Sequence, residues 1–217
     1  KTGFRVSGRI EFEGSAAKPA AEATSRFDAR FEPQDNLSPA LKNVSSLLSV
    51  ACDADGRLSS YELPPGKYYV TASALPGWKL KSAMLDGRDV SLVPFDLRDD
   101  VTTLVITYTD RPSALGGTVR SPKGTADGAA HVLVFPAEAA SPTYVGSMRR
   151  FKVARASASG AYQIPILPAG DYLVIAIAED AAADFPSLTL VRTLARLATR
   201  VTIGDAENKT QDLTTVT

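Results

Sequence analysis

The stretch that decides the fold is Leu63-Pro64-Pro65-Gly66-Lys67-Tyr68-Tyr69-Val70, because a similar stretch occurs a second time in the chain. Residues 167–174 read Leu-Pro-Ala-Gly-Asp-Tyr-Leu-Val, so the leucine, a proline, the glycine, a tyrosine and the valine all recur after 104 residues. Upstream, Gly56 recurs as Gly160 with the same offset. A repeat of this length predicts two consecutive units, which we place at residues 1–110 and 111–217.

The repeated stretch has the composition of a turn followed by a strand. Pro65 would preset φ at the second position of a type II turn, and Gly66 would supply the positive φ that comes next. Tyr68 and Tyr172 then open runs rich in aromatic and β-branched residues, as strands are. We therefore expect a tight Pro-Gly hairpin joining two strands in each unit.

The remaining patterns also favour strands. Residues 26–32 alternate, which predicts that Phe27, Ala29 and Phe31 point inward, and Asp86-Gly87 is a strong two-residue hairpin signal. Residues 187–198 are the one helical candidate, because their apolar residues fall on one helical face: Leu190, Val191, Leu194, Leu197 and Ala198. The expected fold is all-β: two consecutive Ig-like or transthyretin-like β-sandwiches of about seven strands each, with one short helix in the second.

Composition excludes several classes of function. The 217 residues carry 24 basic and 24 acidic side chains, so no electrostatic footprint for nucleic acid or an anionic membrane is expected. One cysteine, Cys52, and one histidine, His131, exclude an intrachain disulfide and a histidine or cysteine cluster around a metal. No cofactor is expected, and no apolar run reaches the 18 residues of a membrane span.

Short motifs that resemble active sites are better explained by structure. Ser15-Ala16-Ala17-Lys18 matches S-x-x-K of serine acyltransferases, but Lys1-Thr2-Gly3, its K-T-G, comes before it and the serine lies in a loop. Asp53-Ala54-Asp55-Gly56 begins like a calcium loop and lacks the later ligands. Cys52 is expected to be a small buried hydrophobe and His131 to start a strand. We expect no enzyme and no catalytic residues.

Five residues remain as candidate contacts. Trp78 and Tyr144 lie in turn-rich stretches, where an exposed aromatic ring can stack on a sugar or anchor a protein interface; insertion into the core is the alternative. Arg192, Arg196 and Arg200 recur every fourth residue and would form a basic stripe on a helix. That stripe is either a solvated face or a docking surface for an acidic partner.

A known family matches several of these segments. Gly117-Thr118-Val119, residues 130–136, residues 159–162 and residues 167–174 together resemble carboxypeptidase regulatory-like domains, which are transthyretin-like β-sandwiches of large secreted bacterial proteins. The resemblance covers nearly all of the second unit and the latter half of the first, and it departs between Ser15 and Val44. It implies a scaffold without catalytic residues, located outside the cell, in the periplasm or at the surface of a bacterium.

These observations lead to one expected function and one alternative. We expect a non-enzymatic structural or protein-interaction module of a secreted or cell-envelope protein, which binds a protein partner or assembles with itself through sheet edges. The alternative is a carbohydrate-binding module with Trp78 or Tyr144 on an open face.

Overall fold

The computed structural model describes residues 3–20, 22, 27, 29–34 and 48–216. This part of the chain is mostly β-strand with one α-helix, as the expected fold class requires. It divides into two compact units, Lys1–Arg111 and Pro112–Thr217. Much of the stretch from Ser15 to Val44, in which the first unit departs from the family pattern, lies outside the described residues.

In the residues described for the first unit, nine strands form one curled sheet around a single core. Along the sheet the strands follow the order β7-β6-β9-β1-β4-β3-β2-β5-β8. Their bounds are β1 Val6–Glu13, β2 Ala29–Pro33, β3 Ser49–Cys52, β4 Arg57–Ser60, β5 Gly66–Ala72, β6 Lys79–Leu85, β7 Arg88–Asp89, β8 Phe95–Leu97 and β9 Val101–Thr109.

Two local predictions for the first unit are confirmed. Phe27, Ala29 and Phe31 are all buried, as the alternation indicates. The tip of the β6–β7 hairpin has positive φ at both Asp86 (49°) and Gly87 (77°), which is the backbone that this residue pair favours.

The second unit is an eight-stranded system with one helix. Its strand order is β12-β11-β14-β17-β10-β13, while β15 pairs with β14 and β16 with β10. The bounds are β10 Ala114–Arg120, β11 His131–Pro136, β12 Lys152–Arg155, β13 Ala161–Ile164, β14 Gly170–Ile177, α1 Leu188–Leu194, β15 Thr199–Ile203, β16 Asn208–Thr210 and β17 Leu213–Val216. Single 3₁₀ turns cover Ala137–Ala140, Met148–Arg150 and Asp180–Ala182.

The second unit has two cores, because β11 and β14 are covered on both faces. Their inward side chains, including Val134 and Val174, belong to the core enclosed by the sheet. Their outward side chains pack with α1 in a separate cluster, whose buried members are Leu133, Phe135, Ala139, Phe151, Ile175, Ile177, Val191 and Leu194. Burial on both faces explains why these strands are apolar without alternation.

The helix is shorter than its pattern indicates. It ends at Leu194, and Leu197, expected on the buried face, is 59% exposed. The chain turns through residues 195–198 because Thr199 must begin β15, whose five residues pair with β14. Pairing along β15 thus replaces the last predicted turn of the helix.

The expected Pro-Gly hairpin is wrong, although the strands around it are present. Gly66 is not among the glycines with positive φ; it begins β5 and pairs with Leu97 of β8. The strand before it, β4, pairs instead with β1 and β3. The Leu-Pro-x-Gly stretch is therefore a crossover between two strands that are not neighbours.

A hydrogen bond explains why the stretch recurs. The Tyr68 hydroxyl donates to the Pro64 carbonyl at 2.9 Å, and the Tyr172 hydroxyl donates to the Pro168 carbonyl at 2.6 Å. Both rings are buried. Each tyrosine thus ties the crossover to the strand that follows it, a device known from other β-sandwiches as a tyrosine corner.

Candidate interaction surface

The second unit has an open strand edge where the first unit has a closed one. In the first unit, β3 pairs with β4 in three rungs, from Val50↔Ser60 to Cys52↔Leu58. The equivalent strands β12 and β13 keep only the turn, in which Ser157 N–H donates to the Ala161 carbonyl at 2.8 Å. Beyond that turn, the structure of residues 48–216 contains no ladder between β12 and β13. The β13-facing edge of β12 is therefore unpaired.

Exposed apolar side chains cluster in the sequence next to this edge. Val145, Met148 and Val153 are 48%, 53% and 56% exposed. Only two other large hydrophobic side chains in the described part of the chain are exposed to this degree, Tyr61 and Leu197. Exposed apolar groups beside an unpaired strand are typical of interaction sites.

The same region is basic in a chain that is neutral overall. Residues 139–170 contain four basic residues, Arg149, Arg150, Lys152 and Arg155, and no acidic one. Arg150 is paired with Glu138, whereas the side chains of Lys152 and Arg155 form no ion pair or hydrogen bond with any residue that the structure describes. Burial, with the nearby charge of Arg149, lowers the pKa of Lys152.

Arg150 fixes the segment that leads into β12. Its side chain is only 10% exposed, and its guanidinium lies 4.7 Å from the centre of the Tyr172 ring. It donates to the Tyr172 hydroxyl at 3.3 Å, to the Asp171 carbonyl at 2.8 Å and to the Glu138 carboxylate. Because Tyr172 is the corner tyrosine, these contacts tie the segment before β12 to the corner.

Trp78 does not contact solvent, which corrects its assignment as a candidate glycan or partner contact. It is 1% exposed, its ring packs edge-on against Phe12 at 5.0 Å, and its Nε1 donates to the Ala17 carbonyl at 3.2 Å. The indole fills the core of the first unit because the bridge between Leu75 and Trp78 turns it inward. Its faces cannot stack on a sugar.

Tyr144 is half-buried. Its ring packs against Phe151 with the centroids 6.0 Å apart, at the border of the cluster beneath α1. It lies one residue before Val145 in the loop that leads to β12. As a contact residue, Tyr144 stays a prediction.

The three arginines do not form a stripe on a helix, because α1 ends before two of them. Arg192 is the one on the helix, and it donates to the Pro142 carbonyl at 3.2 Å. Arg196 is exposed in the following turn. Arg200 lies on β15 and pairs with Asp171 at 2.7 Å. The three arginines therefore lie in three different environments and do not form one basic surface.

The residues considered for chemistry have structural roles. The Asp53 carboxylate accepts hydrogen bonds from Asp55 N–H (2.9 Å) and Arg57 N–H (2.8 Å), which caps its own turn. Cys52 is half-buried at the border of the core rather than fully buried as expected. Its partial burial, aided by the charge of Asp53, raises the pKa of the thiol to about 11, so the thiol is protonated at neutral pH. Exposed Ser15 donates its N–H to Asp110, and His131 begins β11 as expected.

The residues that the structure describes contain neither a metal-binding cluster nor a membrane-spanning helix. The described residues contain no group of three or more His, Cys, Asp or Glu side chains placed to hold a metal. No helix among them combines the length and hydropathy needed to cross a membrane.

One feature of the sequence distinguishes the region around β12, although the alternation of apolar and polar residues does not reveal it. The acid-free stretch of residues 139–170, in a chain with 24 acidic side chains, would have distinguished this region. The lack of a ladder follows from long-range packing and has no such local signal.

Comparisons with known proteins identify no family. No family model matches the sequence, and no curated protein does. The resemblance to carboxypeptidase regulatory-like domains is therefore supported only as far as the β-sandwich.

Solved structures with similar folds are distant. The Bacillus anthracis TIE protein is 11% identical with a TM-score of 0.28; the match covers 100% of this chain and 34% of that one, so this chain spans about a third of its length. The minor pilin GBS52 of Streptococcus agalactiae is 14% identical, with a TM-score of 0.36 and coverage of 99% and 96%. The shaft pilin SpaA of Lactobacillus rhamnosus GG is 10% identical, with a TM-score of 0.33 and coverage of 100% and 98%. Likeness at this level assigns no function to this chain.

Proposed function

We propose that the chain is a non-enzymatic structural or protein-interaction module of a bacterial secreted or cell-envelope assembly, and that β12 is its docking strand. The observation that carries the proposal is the unpaired edge of β12, with Val153 exposed on the strand and Val145 and Met148 exposed in the segment that leads into it. The carboxypeptidase regulatory-like character is part of the same proposal, as the scaffold that presents this edge.

An unpaired edge favours association for a simple physical reason. It presents a row of N–H and C=O groups that an added strand can satisfy, and natural β-proteins usually protect such edges. The first unit protects the equivalent edge by pairing β3 with β4. In the second unit Val153 adds an exposed apolar side chain at the same place, which would lose its contact with water upon docking.

The structural roles of Asp53, Cys52 and Trp78 favour a scaffold over an enzyme or a sugar-binding module. Asp53 uses its carboxylate within its own turn, and Cys52 is protonated at neutral pH. Trp78, the first choice for a glycan platform, belongs to the core. We therefore propose neither a reaction nor a carbohydrate ligand.

Site-specific photo-crosslinking in the producing organism tests the proposal. A benzophenone side chain is introduced at Val153 on the open edge and, as the matched control, at Ala51, an exposed residue of the paired strand β3. We expect a discrete crosslinked product in the envelope or secreted fraction from Val153 and none from Ala51. Mass spectrometry of the product distinguishes self-assembly from a second protein.

Two outcomes would overturn the proposal. The first is the absence of any discrete product at Val153, and the second is an identical set of products from both positions. Either would mean that the open edge has no specific occupant.

A further inference from the structure

We infer that β12 binds an extended acidic segment of a partner protein, which pairs with it as an added strand. This inference rests on the proposed function and names the chemistry of the partner. Three features carry it: the direction of the backbone groups, the charges without partners, and the order of side chains along the strand.

The backbone of β12 presents hydrogen-bonding groups at two residues. Ala156 N–H donates to the Ala130 carbonyl at 2.9 Å, so that residue faces β11. Backbone direction alternates along a strand, so Ala154 and Lys152 also face β11, while Arg155 and Val153 face the open side. In the first unit the equivalent residue, Ala51, uses these groups to pair with Ser59. In β12 the same groups of Arg155 form no ladder with β13.

The charges of β12 select an acidic partner. Neither β12 nor β13 contains an acidic residue, and Lys152 and Arg155 have no ion-pair partner in the described structure. Lys152 is half-buried, which lowers its pKa, so a carboxylate placed beside it would restore the stabilisation that water supplies elsewhere. Like charges would be repelled for the same reason, which gives the edge selectivity.

The register of β12 predicts the side-chain order of the partner. Lys152 lies opposite Val134 and Ala154 opposite Val132, on the inner face, while Val153 lies opposite Leu133 on the outer face with Arg155. An antiparallel strand would therefore place acidic, small, apolar and acidic residues beside Arg155, Ala154, Val153 and Lys152 in turn. A shift by one residue would put an acidic group against Val153, so the register is specified.

Peptide binding to the purified full-length chain tests this inference. The probe is a fluorescent eight-residue peptide with the core glutamate-alanine-valine-glutamate flanked by threonines, and the control probe has lysine in place of both glutamates. We expect saturable binding of the acidic probe only, weakened as sodium chloride is raised. The double variant Lys152→Glu/Arg155→Glu should weaken binding at least about tenfold.

Two variants separate charge from backbone pairing. Lys123→Glu reverses an exposed charge elsewhere in the second unit and should leave binding unchanged, which excludes an effect of net charge alone. Val153→Pro removes one outward N–H while keeping both cations, and it should also weaken binding; proline is tolerated at such edge positions. Thermal unfolding of each variant must match the parent before binding is compared.

The inference is overturned if the acidic probe does not bind, if the lysine probe binds equally, or if Lys123→Glu weakens binding as much as the double variant. A crosslinked product at Val153 without binding of the acidic probe would reject the acidic strand and leave the proposed function standing. A product consisting of two copies of this chain would name a second copy as the occupant and would also reject the inference.

Discussion

The two units share the same tyrosine corner, but the strands and the helix around that corner are arranged differently. Phe31↔Val70 in the first unit corresponds to Val134↔Val174 in the second, so Arg30 and Glu32 occupy the positions of Leu133 and Phe135. The outer face of β2 is therefore polar, and the outer face of β11 is apolar. This difference accompanies a difference in the connection that follows the corner strand.

The chain segment that follows the corner strand also differs between the units, and the difference matches the polarity of the outer face. In the first unit, the chain between β5 and β8 forms the β6–β7 hairpin, and β6 pairs with β9. In the second, the chain between β14 and β15 contains α1, which covers the apolar outer face, and β14 pairs directly with β17. The polar outer face of β2 is thus accompanied by a sheet extension, and the apolar outer face of β11 by a covering helix.

The largest expected effect tests this second core. Leu133→Ala should destabilise the second unit by about 3 kcal/mol, because a fully buried leucine leaves a cavity under α1. Arg30→Ala, the matched change on the exposed outer face of β2, should change stability by less than about 0.5 kcal/mol. Urea unfolding followed by circular dichroism checks both. Equal losses would show that the two outer faces are not different environments.

The closed and open edges should respond differently to proline. Ala51→Pro removes an N–H from a paired rung and leaves the Ser59 carbonyl without its donor, which should cost about 2–3 kcal/mol. Arg155→Pro, at the equivalent position of the open edge, should cost less than about 1 kcal/mol. Trp78 is the only tryptophan and is buried in the first unit, so its fluorescence measures the unfolding of the Ala51→Pro variant. Hydrogen exchange in the second unit measures the stability of the Arg155→Pro variant. A large loss from Arg155→Pro would mean that β12 is paired in solution.

Removal of the hydroxyl group should destabilise the protein more at Tyr172 than at Tyr68, because the Tyr172 hydroxyl also accepts a hydrogen bond from Arg150. Tyr68→Phe removes one hydrogen bond to Pro64 and should cost about 1 kcal/mol. Tyr172→Phe removes the bond to Pro168 and also the acceptor of Arg150, so about 2 kcal/mol is expected. Hydrogen exchange at β5 and β14 measures each unit separately. If the two losses are equal, Arg150 gains nothing from the Tyr172 hydroxyl.

The features that the sequence predicted correctly are local. Burial of alternate residues in β2 and the positive φ values at Asp86 and Gly87 depend on the nearest residues in the sequence. The local sequence patterns were therefore sufficient to predict both. The pairing partners of β4, the burial of Trp78 and the open edge of β12 depend on residues far away in the sequence. Pro65-Gly66 fits a hairpin and a crossover equally well, and the pairing partners of β4 and β5 decide between them.

The smallest effect concerns one carboxylate in each unit that binds backbone amides. Asp110 accepts from Ala16 N–H (2.6 Å) and Ser15 N–H (2.7 Å), and Asp212 accepts from Thr118 N–H (2.8 Å) and its hydroxyl (2.9 Å). These hydrogen bonds lower the pKa of both carboxyl groups below the ordinary 3.8. A depressed folded-state pKa adds stability that is complete above the unfolded-state value and is lost as the pH falls through the folded-state value.

Both units should therefore lose stability as the pH falls below about 4, and substitution should remove the dependence from one unit at a time. Asp110→Asn should reduce the loss of stability at acid pH that Trp78 fluorescence measures in the first unit, and it should leave the exchange of β14 amides in the second unit unaffected. Asp212→Asn should reduce the acid loss measured at the β14 amides and leave that measured by Trp78 fluorescence unaffected. Urea midpoints at several values between pH 2.5 and pH 6 measure the slopes. An unchanged acid limb in Asp110→Asn would assign the pH dependence to other carboxylates. A change in both limbs from one substitution would mean that the two units unfold together.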